Sequence, residues 1–145
     1  MPTAHYERVR RFMEQAGQDT PSALTIPDEH TRLLRARLIL EEALETVHAL
    51  GVEVQLGGQS VTFEECSFAA QGDTDLAGVV DGCADISVVT IGTLIAFGVD
   101  DDPVLREVDE ANLRKFGPGG YTRDDGKWIK PPDWHPPDIK RVIGL

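Results

Sequence analysis

Apolar residues recur along this chain at two periods, and the switch between them marks out its elements. Tyr6, Val9, Phe12 and Met13 fall three and four residues apart, which predicts a short amphipathic helix over 5–16 that Gly17 closes. A turn-rich connector, 19–27, leads to Asp28 as an N-cap. From there Leu33, Leu34, Leu38, Leu40, Leu44, Val47 and Leu50 give wide apolar coverage to a helix stopped by Gly51. The period then drops to two. Val52, Val54 and Leu56 alternate with Glu53 and Gln55, and past Gly57-Gly58, Val61 and Phe63 alternate with Thr62 and Glu64; this predicts a β-hairpin over about 52–64. A polar loop, 71–75, precedes a second long apolar helix over 76–97, closed by Gly98. Asp100-Asp101-Asp102-Pro103 opens a fourth helix that reaches about Phe116. The segment from about 117 to 145 is rich in proline and is expected to lie extended across the helices. The expected fold is mainly α: a four-helix bundle with a small β-hairpin insert and an extended Pro-rich C-terminal tail, one domain over 1–145.

Charge narrows the partners. A net charge of −11 argues against a nucleic-acid backbone or an anionic membrane as a general partner. A phosphate-bearing small substrate stays open, because bound cations reverse the local sign of a site. No stretch is expected to span a bilayer, and the first residues lack the apolar core of a signal peptide. Cys66 and Cys83 are expected to be free thiols in a reducing cytoplasm.

The candidate chemistry lies in two acidic clusters inside the long apolar runs, Glu41-Glu42-x-x-Glu45 and Asp81-x-x-x-Asp85. On a helical wheel Glu41 and Glu45 are about 40° apart, and Glu42 lies about 60° beyond Glu45. Asp81 and Asp85 are one turn apart on a stripe with Gly78 and Gly92, in a segment with no other charge. Carboxylates on the inner face of a helix repel one another and lose hydration, so a cation between them is the natural partner. Oxygen-only ligation points to Mg²⁺, with Mn²⁺ able to substitute. The plainer alternative is a solvated acidic face. Glu45-Thr46-Val47-His48 has the Glu-x-x-His spacing of di-iron bundles, but none of His5, His30 and His135 follows a glutamate by three to supply the second copy. His48 falls beside Glu41 on the wheel, either bordering the site or bonding locally near the helix end. Lys115, three residues after Asn112, is a candidate phosphate contact or a simple complement to the helix dipole. Trp128 and Trp134 are expected to pack the tail onto the bundle.

In this order, these elements resemble the all-α nucleoside triphosphate pyrophosphohydrolases, the superfamily of the MazG-like proteins, phosphoribosyl-ATP pyrophosphohydrolase and the dimeric dUTPases. The resemblance is carried by Leu40-Glu41-Glu42-Ala43-Leu44-Glu45, Val80-Asp81-Gly82-Cys83-Ala84-Asp85-Ile86 and Ala111-Asn112-Leu113-Arg114-Lys115-Phe116. The tail, Tyr121-Thr122-Arg123-Asp124-Asp125-Gly126-Lys127 through Pro132, is similar to a subgroup near the MazG-like dUTPases. The superfamily pattern is Glu-x-x-Glu followed by Glu-x-x-Asp. Gly82 stands where its third acid is expected, and Asp81 is one residue away. The resemblance implies that Glu42, Glu45, Asp85 and Asp81 hold Mg²⁺, and that Glu41 helps bind a further ion and orients the attacking water. It implies phosphate contacts from Asn112 and Lys115, with Tyr121 and Arg123 added from the tail. The implied reaction converts a nucleoside triphosphate to a monophosphate and pyrophosphate, dUTP being the expected kind of substrate. Phosphoribosyl-ATP hydrolysis and a non-catalytic helical binding module are the rival readings. The apolarity of 76–97 adds the expectation of a homodimer or a tetramer.

Overall fold

Local capping chemistry sets where the helices begin. In the computed structural model, whose described residues are 1–124 and 127–145, Thr3 accepts a hydrogen bond from the Tyr6 amide at 3.1 Å and opens α1, Ala4–Gln15. Asp28 opens α2, Glu29–Ala49, by taking the Thr31 amide at 2.8 Å. Hydrogen bonds from the Thr31 side chain and backbone hold the Asp28 carboxyl below its ordinary range. Asp75 accepts the Gly78 amide at 3.0 Å in the first turn of α3, Leu76–Ala96. Asp100 precedes α4, Asp101–Arg114. Gly51 and Gly98 follow α2 and α3 with φ of +77° and +68°, a conformation that costs a residue with a Cβ.

The described chain divides into two compact units, one of residues 24–79 and one of residues 1–23 with 80–145. In the first, β1, Gln55–Leu56, pairs antiparallel with β2, Gln59–Ser60. Gly57 and Gly58 between them both have positive φ, as a two-residue hairpin turn requires. The ribbon is shorter than the alternation predicts. The Val61 amide still reaches the Val54 carbonyl at 2.8 Å, but Glu65 then takes the amide and the hydroxyl of Thr62 at 3.0 and 3.1 Å. Those bonds wind the chain into a 3₁₀ turn, Phe63–Glu65, where the alternation places a strand. Arg37 of α2 lays its guanidinium over Phe63 and Phe68, 5.7 Å from each ring centroid, and so ties the turn to the helix.

In the second unit α1 packs along α4. The carboxylate of Asp109, 5% exposed, faces Arg8 Nε and His5 Nδ1, each 2.7 Å from its Oδ2. Phe12 meets Phe116 at 5.6 Å between centroids. Beyond Phe116 the tail is less uniformly extended than its prolines suggest. β3, Tyr121–Thr122, pairs antiparallel with β4, Trp128–Ile129, and α5, Ile139–Ile143, follows Pro137. The proline restriction ends there, and Asp138 caps the new helix by accepting the Arg141 amide at 3.1 Å. Glu107 of α4 holds α5 through the Asp138 amide at 3.0 Å and Arg141 Nη2 at 2.7 Å. The tail packs onto α4 as expected: Trp134 Nε1 donates to the Ala111 carbonyl at 2.8 Å, and Trp128 Nε1 to that of Lys115. Both indoles satisfy carbonyls that a helix end leaves without a partner. Asp125 and Gly126 of the tail motif lie outside the described residues.

The helix that departs most from expectation is α3. Its apolar run reads as a buried helix, yet none of its residues is buried, and Val79, Val80, Ile86, Val88, Val89 and Ile95 are exposed. It is also long and apolar enough, by length and composition alone, to cross a membrane. The expectation from the sequence is of no such stretch; by mean hydropathy the run qualifies although it holds Asp81 and Asp85.

Candidate functional site

The stripe Glu41, Leu44, Glu45 and His48 on α2 forms one side of a groove of about 680 Å³. The opposite side is the hairpin and the turn after it, from Val52 to Glu64. Glu41 is half-buried and Glu45 exposed. His48 borders the groove beside Glu41, as the wheel predicts, and no hydrogen-bond partner holds its ring among the described residues. Glu42 lies off this stripe and is exposed; its main-chain carbonyl accepts the Thr46 hydroxyl at 2.7 Å. Arg37 stands one turn before Glu41 and could have neutralised it, but its guanidinium is spent on Phe63 and Phe68. Among the described residues the acidic side chains of α2 make no ion pair.

The other sequence candidates belong to the second unit. Asp81 and Asp85 are both exposed on α3, so neither acidic cluster is on a buried face within one protomer. Gly82 and Gly92 have open space where a Cβ would point, whereas at Gly78 a Cβ would meet the Asp75 carboxylate. Asn112 is half-buried on α4, and Lys115 is the residue that ends the helix. The Lys115 ammonium lies 5.9 Å from the Phe12 centroid and 5.6 Å from that of Trp134. Lys130, which the sequence did not single out, brings a second ammonium to 3.9 Å from the same indole. Tyr121 is exposed at the first pair of the β3–β4 ribbon, and the Arg123 amide donates to the Lys127 carbonyl at 2.8 Å.

The α2 carboxylates suit a hard divalent cation in kind, being oxygen donors without a competing ion pair. Among the described residues, however, no group of three or more His, Cys, Asp or Glu side chains gathers as around one metal ion. Sequence reasoning missed two features. One is the groove wall, because Phe63 faces α2 only once the 3₁₀ turn forms. The other is Asp109, whose signal was its place in the stripe Leu105, Val108, Asp109, Asn112, with His5 and Arg8 at helical spacing on α1.

The family model described as phosphoribosyl-ATP pyrophosphohydrolase matches residues 6–112, from the first helix to Asn112. No curated protein matches the chain. Among solved structures, the chain is similar to a protein of Exiguobacterium sp. 255-15 provisionally described as an NTP pyrophosphohydrolase, with a TM-score of 0.70 and 20% identity. The match covers 99% of this chain and 94% of that one, so the two share a fold.

Proposed function

The chain belongs to the phosphoribosyl-ATP pyrophosphohydrolase family, and on that premise we propose that it is a Mg²⁺-dependent nucleoside triphosphate pyrophosphohydrolase that removes dUTP-like nucleotides from the pool. The observation that carries this reading is the acidic stripe of α2, free of ion pairs among the described residues, inside the segment the family model matches. The likeness of the tail to the MazG-like dUTPases supports a deoxynucleotide. By the superfamily resemblance, Glu42 and Glu45 on α2 and Asp81 and Asp85 on α3 would be metal ligands, Asp81 serving in place of the acid missing at Gly82. When bound, Mg²⁺ neutralises the triphosphate and makes water a better nucleophile. Glu41, beside the groove, orients that water and takes its proton on a carboxylate oxygen. Lys115 and Asn112 contact phosphate oxygens, and Tyr121 and Arg123 add to them from the tail. Such a division of labour lets a chain of net charge −11 bind a polyanion.

The exposed apolar surface of α3 supports self-association as a homodimer, or as a tetramer, with the site near a subunit contact. Light scattering at micromolar concentration tests this, and a monomer refutes it. Hydrolysis of phosphoribosyl-ATP is the second reading, favoured by the description of the matching family. Pyrophosphate release from dUTP, the other nucleoside triphosphates and phosphoribosyl-ATP, with Mg²⁺, decides between them. We expect release from dUTP that Glu42→Ala abolishes. Turnover of no nucleotide, or turnover that the substitution leaves intact, sinks the proposal.

A further inference from the structure

We infer that the groove between α2 and the hairpin is a nucleoside-binding site, in which the hairpin insert recognises the base of the substrate. The inference rests on the nucleotide-hydrolase reading for its class of ligand, and on the groove itself for everything else.

The groove has two chemically distinct sides. Its α2 rim carries Glu41 and Glu45, the carboxylates assigned above to metal and water. Its hairpin side presents the apolar side chains Val54, Val61 and Phe63 among the polar Glu53, Ser60, Thr62 and Glu64. A ligand that fits both sides has a flat apolar group at one end and a metal-borne anion at the other, which describes a nucleotide. Its volume, about 680 Å³, lies within the range of small-molecule sites.

The apolar wall is prepared in advance. Phe63 is held by the Arg37 guanidinium, 5.7 Å from its centroid, and by Phe68, whose centroid is 6.0 Å away. The turn bearing it is locked by the Thr62–Glu65 bonds. A ring held in this way offers a face for base stacking without losing rotamer freedom on binding. Three polar side chains of the hairpin bond one another: Glu53 accepts from the Ser60 hydroxyl and from Gln55 Nε2 at 2.8 Å. The Ser60 bond first, and then the Gln55 bond, hold the Glu53 carboxyl below its ordinary range. His48 is different. With no partner among the described residues, its ring can donate to or accept from a base edge or a sugar hydroxyl.

The test separates base binding from catalysis. Wild type, with its Val methyls ¹³C-labelled, is titrated without metal with deoxyuridine, thymidine, deoxycytidine and deoxyadenosine. At least one nucleoside is expected to shift the Val54 and Val61 methyl signals. Phe63→Ala should weaken that nucleoside's binding about ten-fold, and Phe63→Trp should restore it. His48→Ala, an exposed change that the fold tolerates, should alter the ranking of the nucleosides. Failure of every nucleoside to shift these methyl signals, even at millimolar concentration, overturns the inference. So does protection of the two methyls that grows with protein concentration alone, which would make a second copy of the chain the occupant. Nucleoside binding by a protein that hydrolyses no nucleotide upholds the groove and sinks the hydrolase reading; hydrolysis without groove binding does the reverse.

Discussion

Replacing Asp109 by Asn should uncouple α1 from α4 at a cost that the structure lets one estimate. The substitution keeps the size of the side chain and one acceptor oxygen, and removes the charge that faces Arg8 and His5 at 2.7 Å. Hydrogen bonds to a charged group contribute about 1.5–3 kcal/mol each. The Asp109 side chain is 4% exposed, but Arg8 and His5 are 21% and 42% exposed and recover hydration when released. Discounting for that, the pair contributes about 2 kcal/mol, most of it through Arg8. With a urea dependence of about 2 kcal/mol per molar, the unfolding midpoint falls by about 1 M. The assay is urea unfolding followed by far-UV ellipticity, at one fixed protein concentration so that self-association contributes equally. Arg8→Ala alone and combined with Asp109→Asn completes a double-mutant cycle, and a coupling of about 1 kcal/mol is expected. A midpoint shift below about 0.2 M, or single effects that simply add, refutes the claim that this carboxylate fastens the two helices.

Three further outcomes are expected. Glu45→Gln, which keeps the shape of the side chain but removes its charge, should lower nucleotide turnover about 100-fold or more without changing the unfolding midpoint, as steady-state kinetics and urea melts will show. Gly120→Ala would place a Cβ 2.5 Å from the rigid Trp128 ring, so the tail should shift and the chain lose about 1–3 kcal/mol, with a red shift of tryptophan emission. The Asp138 amide first, then Arg141 and Arg114, hold the Glu107 carboxyl below the usual glutamate range. Its hold on α5 is therefore fully present above about pH 4.3 and is lost as the pH falls through that value toward the lower folded one. The Asp138 amide resonance should report this titration, and an unchanged signal down to pH 2 would contradict it.

How much of this was legible in the sequence depended on how local its cause is. Thr3, Asp28 and Asp75 cap helices through residues three positions away, so the starts and periods of the helices can be read directly. The Gly57-Gly58 turn is equally local. Phe63 is where alternation failed: Val61 and Phe63 continue the strand pattern, but Glu65 competes for the Thr62 amide and wins. The tail helix was hidden because five prolines after Phe116 outweigh a five-residue segment in any window. Of the candidate site, the stripe Glu41, Glu45 and His48 was visible by spacing, since a helix brings those positions together unaided. Its apolar wall was not, because it comes from a different element, and the Asp109 contacts cross about a hundred residues of sequence. The exposure of α3 was misread for the opposite reason. Apolar composition says that a surface needs covering, and leaves open whether the same chain covers it.

The attachment of both indoles to the end of α4 has a consequence for how this molecule can be watched. The chain has two tryptophans and two tyrosines, and all four, Tyr6, Tyr121, Trp128 and Trp134, belong to the unit of residues 1–23 and 80–145. The unit of 24–79, with the acidic stripe and the hairpin, holds no tryptophan or tyrosine and is optically silent at 280 nm and above. Intrinsic fluorescence thus follows one unit while far-UV ellipticity follows the helices of both. Recording the two signals in one melt turns the placement of four rings into a measure of whether the halves of this protein come apart together.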